Sequence, residues 1–287
     1  MRILVTGATG ALGSAVIETL SKRVPASSIA VLTRNEEKRL SFQERGFPAF
    51  LGDFDDTTSL DKAMKGVDTV LLISAGDEGD RIKQHLNVVD AAKRAGVSGI
   101  AYTSRSMRDQ DKLSNTLMAD HFATEKYIKE SGLRYTIFRN ALYMDVIPLF
   151  VGNQVFESGI IQSAGMGKVA FALRKEMGEA IANVILDEGC ENKTYKFTGR
   201  EAYTFDDIAH VLTDLSGKEV NYTPVGSSAF ESILIKKGIP VAMARKIIDF
   251  NADIRNGQES EVTADLARTL GRSPASLKEG LKVLFGL

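Results

Sequence analysis

The chain of 287 residues has one cysteine, three histidines, no tryptophan and almost no net charge. With Cys190 alone, no intrachain disulfide can form and no cysteine-rich metal site can be built; such usage fits a reducing compartment. His85, His121 and His210 show no metal-ligand spacing with partners, so neither a zinc site nor a hydrolytic triad finds support. The balance of 36 basic against 37 acidic side chains gives a formal charge of −1. No strong field draws the chain to nucleic acid or to an anionic membrane. No apolar stretch is long enough to span a bilayer. The N-terminus does not read as a signal peptide, because glycines interrupt the apolar residues that begin at Ile3. The expectation is a cytoplasmic protein, monomer or homodimer, with no nucleic-acid or membrane partner and no metal. Repeats, low-complexity segments and flexible linkers are absent from the sequence.

What is present is a chain that is 44% hydrophobic, ample for a packed core and long enough for one large domain or two unequal ones. Its first half alternates short apolar runs with amphipathic segments. "RILVTG" (2–7), "SIAVLTR" (28–34), "FPAFLGD" (47–53), "DTVLLIS" (68–74), "SGIAYTS" (98–104) and "LRYTIFR" (133–139) read as strands. Segments 11–24, 36–46, 57–66, 81–96 and about 116–131 read as helices, with Leu12, Val16, Leu20 and Val24 on one stripe of the first. Alternation at this spacing means parallel crossovers, hence an α/β fold with a doubly wound parallel sheet. Ligands of such sheets bind beyond the carboxyl ends of the strands. That directs attention to 7–13, 33–35, 53–54, 74–79, 103–106 and 140–145.

From about residue 150 the pattern changes. A glycine-punctuated stretch (152–168) precedes a helix near 175–187 and a strand at 193–199 expected to rejoin the main sheet. Thr204 and Asp207 have the spacing of a capping box at the start of a helix over 204–217. One short strand is expected at "EVNYTP" (219–224). The expected division is a doubly wound α/β domain over 1–150 and a smaller C-terminal α/β domain over 151–287 covering the ligand edge.

"VTGATGALGS" (5–14) sets Gly7, Gly10 and Gly13 between the first strand and the first helix. A helix N-terminus presents unpaired N–H groups and a partial positive charge, and a pyrophosphate reaches them only where no Cβ intrudes. The spacing is G-x-x-G-x-x-G rather than the commoner G-x-G-x-x-G. About twenty residues on, where a ribose-reading carboxylate would stand, the chain has Thr33 and Arg34. Arg34 suits a 2′-phosphate, with Lys38 and Arg39 one turn later, so NADPH is preferred as cofactor. Glu36 and Glu37 keep NADH open. Asp53 either meets an adenine amino group or caps a helix. Ser74 and Ala75 are small enough for ribose or nicotinamide to approach.

Hydride transfer to a carbonyl often uses a proton donor on the acceptor oxygen. Short-chain dehydrogenases supply it with Tyr-x-x-x-Lys after the fifth strand. No tyrosine here has a lysine four places on; Phe122 and Lys126 keep the spacing without the hydroxyl. Lys126 either holds the nicotinamide ribose or is a surface lysine. His121 is either a donor near the acceptor or a core histidine. Ser104 lies in no Gly-x-Ser-x-Gly elbow.

Together "VTGATGALG", Arg34, "GDFDD" (52–56), "AYTS" (101–104), "HFATEK" (121–126) and "FRNALYMD" (138–145) resemble the NmrA-like group of atypical short-chain dehydrogenases. "VPASSI" (24–29) and "ENKTY" (191–195) tighten the likeness, which spans nearly the whole chain and points to a bacterial branch of NADPH-dependent quinone and triphenylmethane-dye reductases. The resemblance implies a Rossmann domain with a small C-terminal domain, and hydride passing directly from NADPH to a quinone-like acceptor without flavin or metal. It implies that Gly7, Thr9, Gly10, Ala11, Leu12 and Gly13 hold phosphate and Arg34 the 2′-phosphate. Asp53 and Phe54 then serve the adenine side, with Ser74, Ala75, Thr103, Lys126 and Asn140 around the nicotinamide half. Tyr143 belongs to the acceptor wall. The catalytic candidates are thus Lys126, His121 and Tyr143. The loop "SRSMRDQDK" (104–112) departs from the pattern in being strongly charged. The same family includes redox sensors that bind NAD(P) and a protein partner without turnover, and the missing Tyr-x-x-x-Lys keeps that reading as the alternative.

Overall fold

The computed structural model describes residues 1–76, 79–152 and 154–287. In chain order its elements are β1 (Ile3–Val5), α1 (Ala11–Ser21), β2 (Ile29–Thr33), α2 (Glu36–Glu44), β3 (Ala49–Leu51), α3 (Thr57–Ala63), β4 (Thr69–Leu72) and α4 (Arg81–Arg94). There follow β5 (Gly99–Arg105), α5 (Ala119–Glu130), β6 (Arg134–Asn140), α6 (Ile147–Val151), α7 (Val155–Ser158), β7 (Ile160–Gln162), α8 (Arg174–Asp187) and β8 (Lys193–Phe197). The chain ends with α9 (Phe205–Ser216), β9 (Tyr222–Pro224), α10 (Ser227–Lys236), α11 (Val241–Arg255), α12 (Asp265–Leu270) and α13 (Leu277–Phe285).

Seven strands form one sheet in the order β3-β2-β1-β4-β5-β6-β8. β1 pairs parallel with both β2 and β4, Ile3 standing opposite Ile29 on one side and Thr69 on the other. The β2–β3, β4–β5 and β5–β6 pairs are parallel too. At the edge, Asn192 N–H donates to the Tyr135 carbonyl and Ala141 N–H to the Phe197 carbonyl, both at 2.8 Å. Start meets start and finish meets finish, so β8 runs parallel to β6. The chain steps outward from β1 to β3 and then returns to β4, which puts the switch point at the carboxyl ends of β1 and β4.

Two compact units divide the chain. Unit 1 comprises residues 1–105, 120–140 and 174–196, and unit 2 comprises 106–119, 141–173 and 197–287. The sequence suggests one boundary near 150; here 106–119 and 141–150 belong to unit 2, while α8 and most of β8 return to unit 1. α8 lies against α1 because Gly178 has no side chain, and a Cβ there would stand 2.6 Å from that of Ala15.

In unit 1 the strands alternate faces. Leu4, Val70, Leu72, Ile100 and Tyr102 join Leu60, Val88, Val89 and Ile128 of α3, α4 and α5 in one buried cluster. Burying each such aliphatic side chain stabilises the fold by about 1.5–3 kcal/mol before chain entropy is counted. The stripe on α1 is buried at Leu12, Val16 and Leu20.

Unit 2 has its own core around Phe171, Phe205, Ile208, Leu212, Ile254 and Leu281. α9 and α13 both open on capping boxes, Thr204 with Asp207 and Ser276 with Glu279. β7 pairs parallel with β9; β7 falls in the glycine-punctuated stretch where no strand was expected. The charged segment after β5 is held down within this unit, where buried Asp253 accepts from the Ser114 and Asn115 N–H groups at 2.6 and 2.9 Å. Asp109 and Lys112 of that segment pair with each other at 2.8 Å. Among the described residues, no helix is long and apolar enough to cross a membrane.

Candidate functional site

The turn from β1 into α1 leaves the helix N-terminus open. Gly10 is the N-cap, in extended conformation with no side-chain cap, and no acidic residue stands in the first turn. The first N–H groups of α1 therefore face outward with their partial positive charge. The three glycines have separate reasons. Gly7 has φ +60°, a left-handed value that favours glycine. A Cβ on Gly13 would overlap the Gly7 carbonyl and come within 2.9 Å of the Ala8 Cα, so Gly13 lets the helix start this close to the strand end. A Cβ on Gly10 would meet only the Gly7 oxygen, at 3.4 Å, an ordinary contact. The protein's own packing does not require glycine at 10.

Thr33, the last residue of β2, is buried, and Arg34 after it is 71% exposed, its guanidinium 3.9 Å from the Asp53 carboxylate beyond β3. Asn35 caps α2 through the Lys38 N–H, and Glu36 is taken up by Arg39 at 2.5–2.7 Å. The first carboxylate after β2 in sequence thus already holds a cation, and Arg39 is committed to it. The two roles open for Asp53 separate here. Asp56 is the N-cap of α3, accepting from Thr58 and Ser59, whereas Asp53 makes a local turn by accepting from the Asp55 N–H at 2.9 Å. The carbonyl of Phe54 accepts from Asn87 of α4 at 2.9 Å.

The backbone after β4 is pinned by side chains. The Ile73 N–H donates to the Thr6 hydroxyl and the Ser74 N–H to the Thr103 hydroxyl, both at 3.0 Å, and the Ala75 N–H to the His85 ring at 2.9 Å. These three strand ends and the glycine turn enclose one cavity of about 390 Å³ in unit 1. Gly7, Thr9, Arg34, Asp53, Ser74 and Ala75 line it, with Phe54 beside them. Residues 77 and 78, part of the segment 74–79 singled out in the sequence, lie outside the described residues.

Other sequence-derived candidates lie elsewhere. Leu12 is buried and contributes its backbone at the second helical position. Thr103 is buried beneath Ser74. Lys126 is 76% exposed on α5 and 4.0 Å from Glu130, and it is not part of the cavity lining. Asn140 is fully buried at the end of β6. Tyr143 belongs to unit 2, where its backbone bridges to Ala172. Phe122, at the place of the usual tyrosine, has the Arg139 guanidinium 5.3 Å from its ring centre.

His121 requires a correction. It is only 4% exposed, with Nδ1 3.0 Å from the Tyr102 hydroxyl and Nε2 3.3 Å from the Arg81 guanidinium. Arginine can only donate, so Nε2 accepts and Nδ1 carries the proton. Burial first, then Arg81, Arg105 and His85, hold its pKa well below the ordinary range. Both ring nitrogens are committed inside unit 1, so His121 is a neutral core histidine and not a proton donor to an acceptor. Nearby, buried Glu125 accepts from Ser104 at 2.6 Å and from both arms of Arg139 at 2.6 and 2.9 Å. This pairing gives the buried carboxylate a cationic partner and commits the Ser104 hydroxyl.

Thr6 and His85 escaped the sequence reading as site residues. Thr6 stands next to Gly7 and His85 far from the motif, and both act through backbone groups that no local spacing marks, 67 and 10 residues away, respectively. Unit 2 holds a separate apolar cavity of about 320 Å³, lined by Phe150, Val151, Ile161, Phe230 and Leu234 among others. Among the described residues, no group of three or more His, Cys, Asp or Glu could hold a metal ion.

Known proteins match over the full length. Residues 1–279 fit the NmrA-like family. Quinone oxidoreductase 2 of Escherichia coli (strain K12) is 37% identical over 286 residues, 99% of each chain. The crystal structure of a Citrobacter sp. triphenylmethane reductase complexed with NADP(H) superposes with a TM-score of 0.91 at 36% identity, covering 99% of this chain and 100% of that one. The NADPH complex of an NADPH-dependent quinone oxidoreductase from Escherichia coli gives 0.90 at 36% identity, with the same coverage.

Proposed function

The chain belongs to the NmrA-like family, and from that membership we propose that it is an NADPH-dependent reductase passing hydride directly to a quinone or a similar flat, electron-poor acceptor such as a triphenylmethane dye. One observation of the molecule carries the nucleotide part. Gly7 and Thr9 of the glycine turn line one cavity with Arg34, and the turn leads directly into an uncapped helix N-terminus whose Gly10 internal packing does not demand.

The residues fit the cofactor. The backbone of Gly10, Ala11, Leu12 and Gly13 offers N–H groups to a pyrophosphate, with Gly7 and Thr9 shaping the approach. Arg34 takes the 2′-phosphate in place of its 3.9 Å contact with Asp53, and the first carboxylate after β2, Glu36, is held by Arg39. Asp53 and Phe54 serve the adenine side. Ser74 and Ala75 form the wall toward the nicotinamide half, with Thr103 holding Ser74 from below. When bound, NADPH supplies a hydride from its nicotinamide ring. Lys126 and Asn140 beside the ribose, and Tyr143 on the acceptor side, are proposed on the family motifs "HFATEK" and "FRNALYMD".

No protein acid is required by this reading. A quinone is intrinsically a good hydride acceptor, so holding it against the donor supplies most of the catalysis. A ketone would need the tyrosine that Phe122 replaces. The same replacement favours a second reading, a sensor that binds the nucleotide without turnover and acts through a protein partner. The test is oxidation of NADPH and, separately, NADH against benzoquinones, naphthoquinones and triphenylmethane dyes, with nucleotide binding followed by fluorescence quenching. Turnover with NADPH far above NADH is expected. Tight NADPH binding with no turnover across the panel would transfer the conclusion to the sensor.

A further inference from the structure

We infer that His85 is a positioning residue for the cofactor, its Nε2 holding the Ala75 N–H and with it the cavity wall that follows β4. The inference rests on the NADPH reading for its functional consequence, but its structural part stands alone.

The hydrogen bonds leave one arrangement for the ring. The Ala75 N–H can only donate, and it lies 2.9 Å from Nε2, so Nε2 is unprotonated. On the other side Nδ1 is 3.0 Å from the Thr124 hydroxyl oxygen. That hydroxyl spends its only proton on the Asp120 carbonyl, at 2.8 Å. Nδ1 must therefore carry the proton and donate to Thr124. A relay thus runs from the Asp120 carbonyl on α5, through Thr124 and His85 on α4, to the backbone of the cavity wall. His85 is fully buried, with the Tyr102 ring edge-on at 5.4 Å, so water cannot replace either bond.

The wall needs this support. It has no regular structure after Leu72, and its small residues cannot anchor it themselves. Thr6 and Thr103 fix Ile73 and Ser74, and His85 holds the outermost of the three. α4 supplies a parallel anchor to the other side of the cavity, where Gln84 reaches Asp55 at 2.8 Å and Asn87 reaches the Phe54 carbonyl. One helix therefore sets the positions of both walls.

Two substitutions separate positioning from simple packing. In His85→Gln the amide oxygen reaches the place of Nε2 and keeps an acceptor for Ala75. In His85→Asn the amide mimics Nδ1, keeps the bond to Thr124 and leaves the Ala75 N–H unpaired. Each variant loses one buried hydrogen bond, so both should melt lower by similar amounts. Binding of NADPH, measured by fluorescence quenching without any acceptor, should weaken roughly tenfold in His85→Asn, the equivalent of one lost hydrogen bond, and less than about threefold in His85→Gln. Equal weakening in the two, or wild-type affinity in His85→Asn, overturns the inference. Amide hydrogen exchange over 73–76 in nucleotide-free protein is the companion measurement. It should speed up in His85→Asn and not in His85→Gln. Failure of the wild type to bind NADPH, with that exchange pattern intact, would refute the nucleotide reading and leave the wall anchor standing. Should His85→Asn not fold, Thr124→Val removes the acceptor that fixes the tautomer, and unchanged exchange at 73–76 there refutes the relay.

Discussion

Acidification from pH 7 to pH 5 should destabilise unit 1 through its buried imidazoles, by an amount the structure sets. Burial first, and then the Arg81 charge, bring the pKa of His85 from its ordinary 6.5 down to about 3. In the unfolded chain the same ring takes a proton near pH 6.5. Between those values unfolding takes up a proton. The stability present above pH 6.5 is therefore lost progressively as pH falls toward 3. At pH 5, about 1.5 units below the unfolded value, His85 alone costs about 2 kcal/mol, at about 1.4 kcal/mol per unit. His121 acts in the same direction. Domains of this kind have roughly 5–15 kcal/mol in all, so the effect is large. Glu18, Glu36, Asp187 and Glu279 do not blur the window, since their partners hold them below the ordinary 4.5 or 3.8. The assay is urea unfolding followed by circular dichroism at pH 7, 6 and 5 and constant ionic strength, for wild type and His85→Gln. Wild-type stability should drop steeply between pH 6 and 5, and the variant's slope should be shallower by about one proton, about 1.4 kcal/mol per unit. A flat wild-type profile from pH 7 to 5, or equal slopes in the two proteins, refutes the buried neutral imidazole on which the wall anchor depends.

Three further outcomes follow from the same geometry. Gly10→Ala should fold with a stability change within about 1 kcal/mol yet bind NADPH at least tenfold more weakly, whereas Gly13→Ala should lose several kcal/mol because its Cβ collides with backbone; parallel losses of fold in both would undo the argument from the two contacts. Arg34→Ala should raise the KM for NADPH about tenfold and leave that for NADH nearly unchanged, the scale of one exposed charge-assisted hydrogen bond, and an equal effect on both nucleotides would remove Arg34 from the 2′-phosphate. Cys190, packed against Gly99 and with burial pushing its thiol up to about 11, should resist a thiol reagent at pH 8 in the native state and react on unfolding; stoichiometric native reaction would show that the β8 edge opens.

The parts of this protein that could be read from sequence are those governed by short stretches of chain. Strand and helix alternation rests on local periodicity and on caps within three residues, and the capping box at Thr204 and Asp207 is present as its spacing implied. The glycine turn and the position of Arg34 follow from counting along one βαβ unit. Partner choice across the chain was beyond it. Asp53 and Asp56 are equally good caps by composition, and only the start of α3 assigns the role to Asp56. β7 is three residues long, and its partner β9 lies some sixty residues on, so no local signal marks it. His121 and Lys126 stand five residues apart on one helix, yet the first is sealed in the core and the second lies in solvent. Which ring nitrogen of His85 holds a proton depends on Ala75 and Thr124, brought together only by the packing of α4 between the β4 end and α5. Residue type and spacing determine what a segment can do alone; burial and hydrogen-bond partners determine the protonation and direction of each side chain, and those arise only when distant segments share a core.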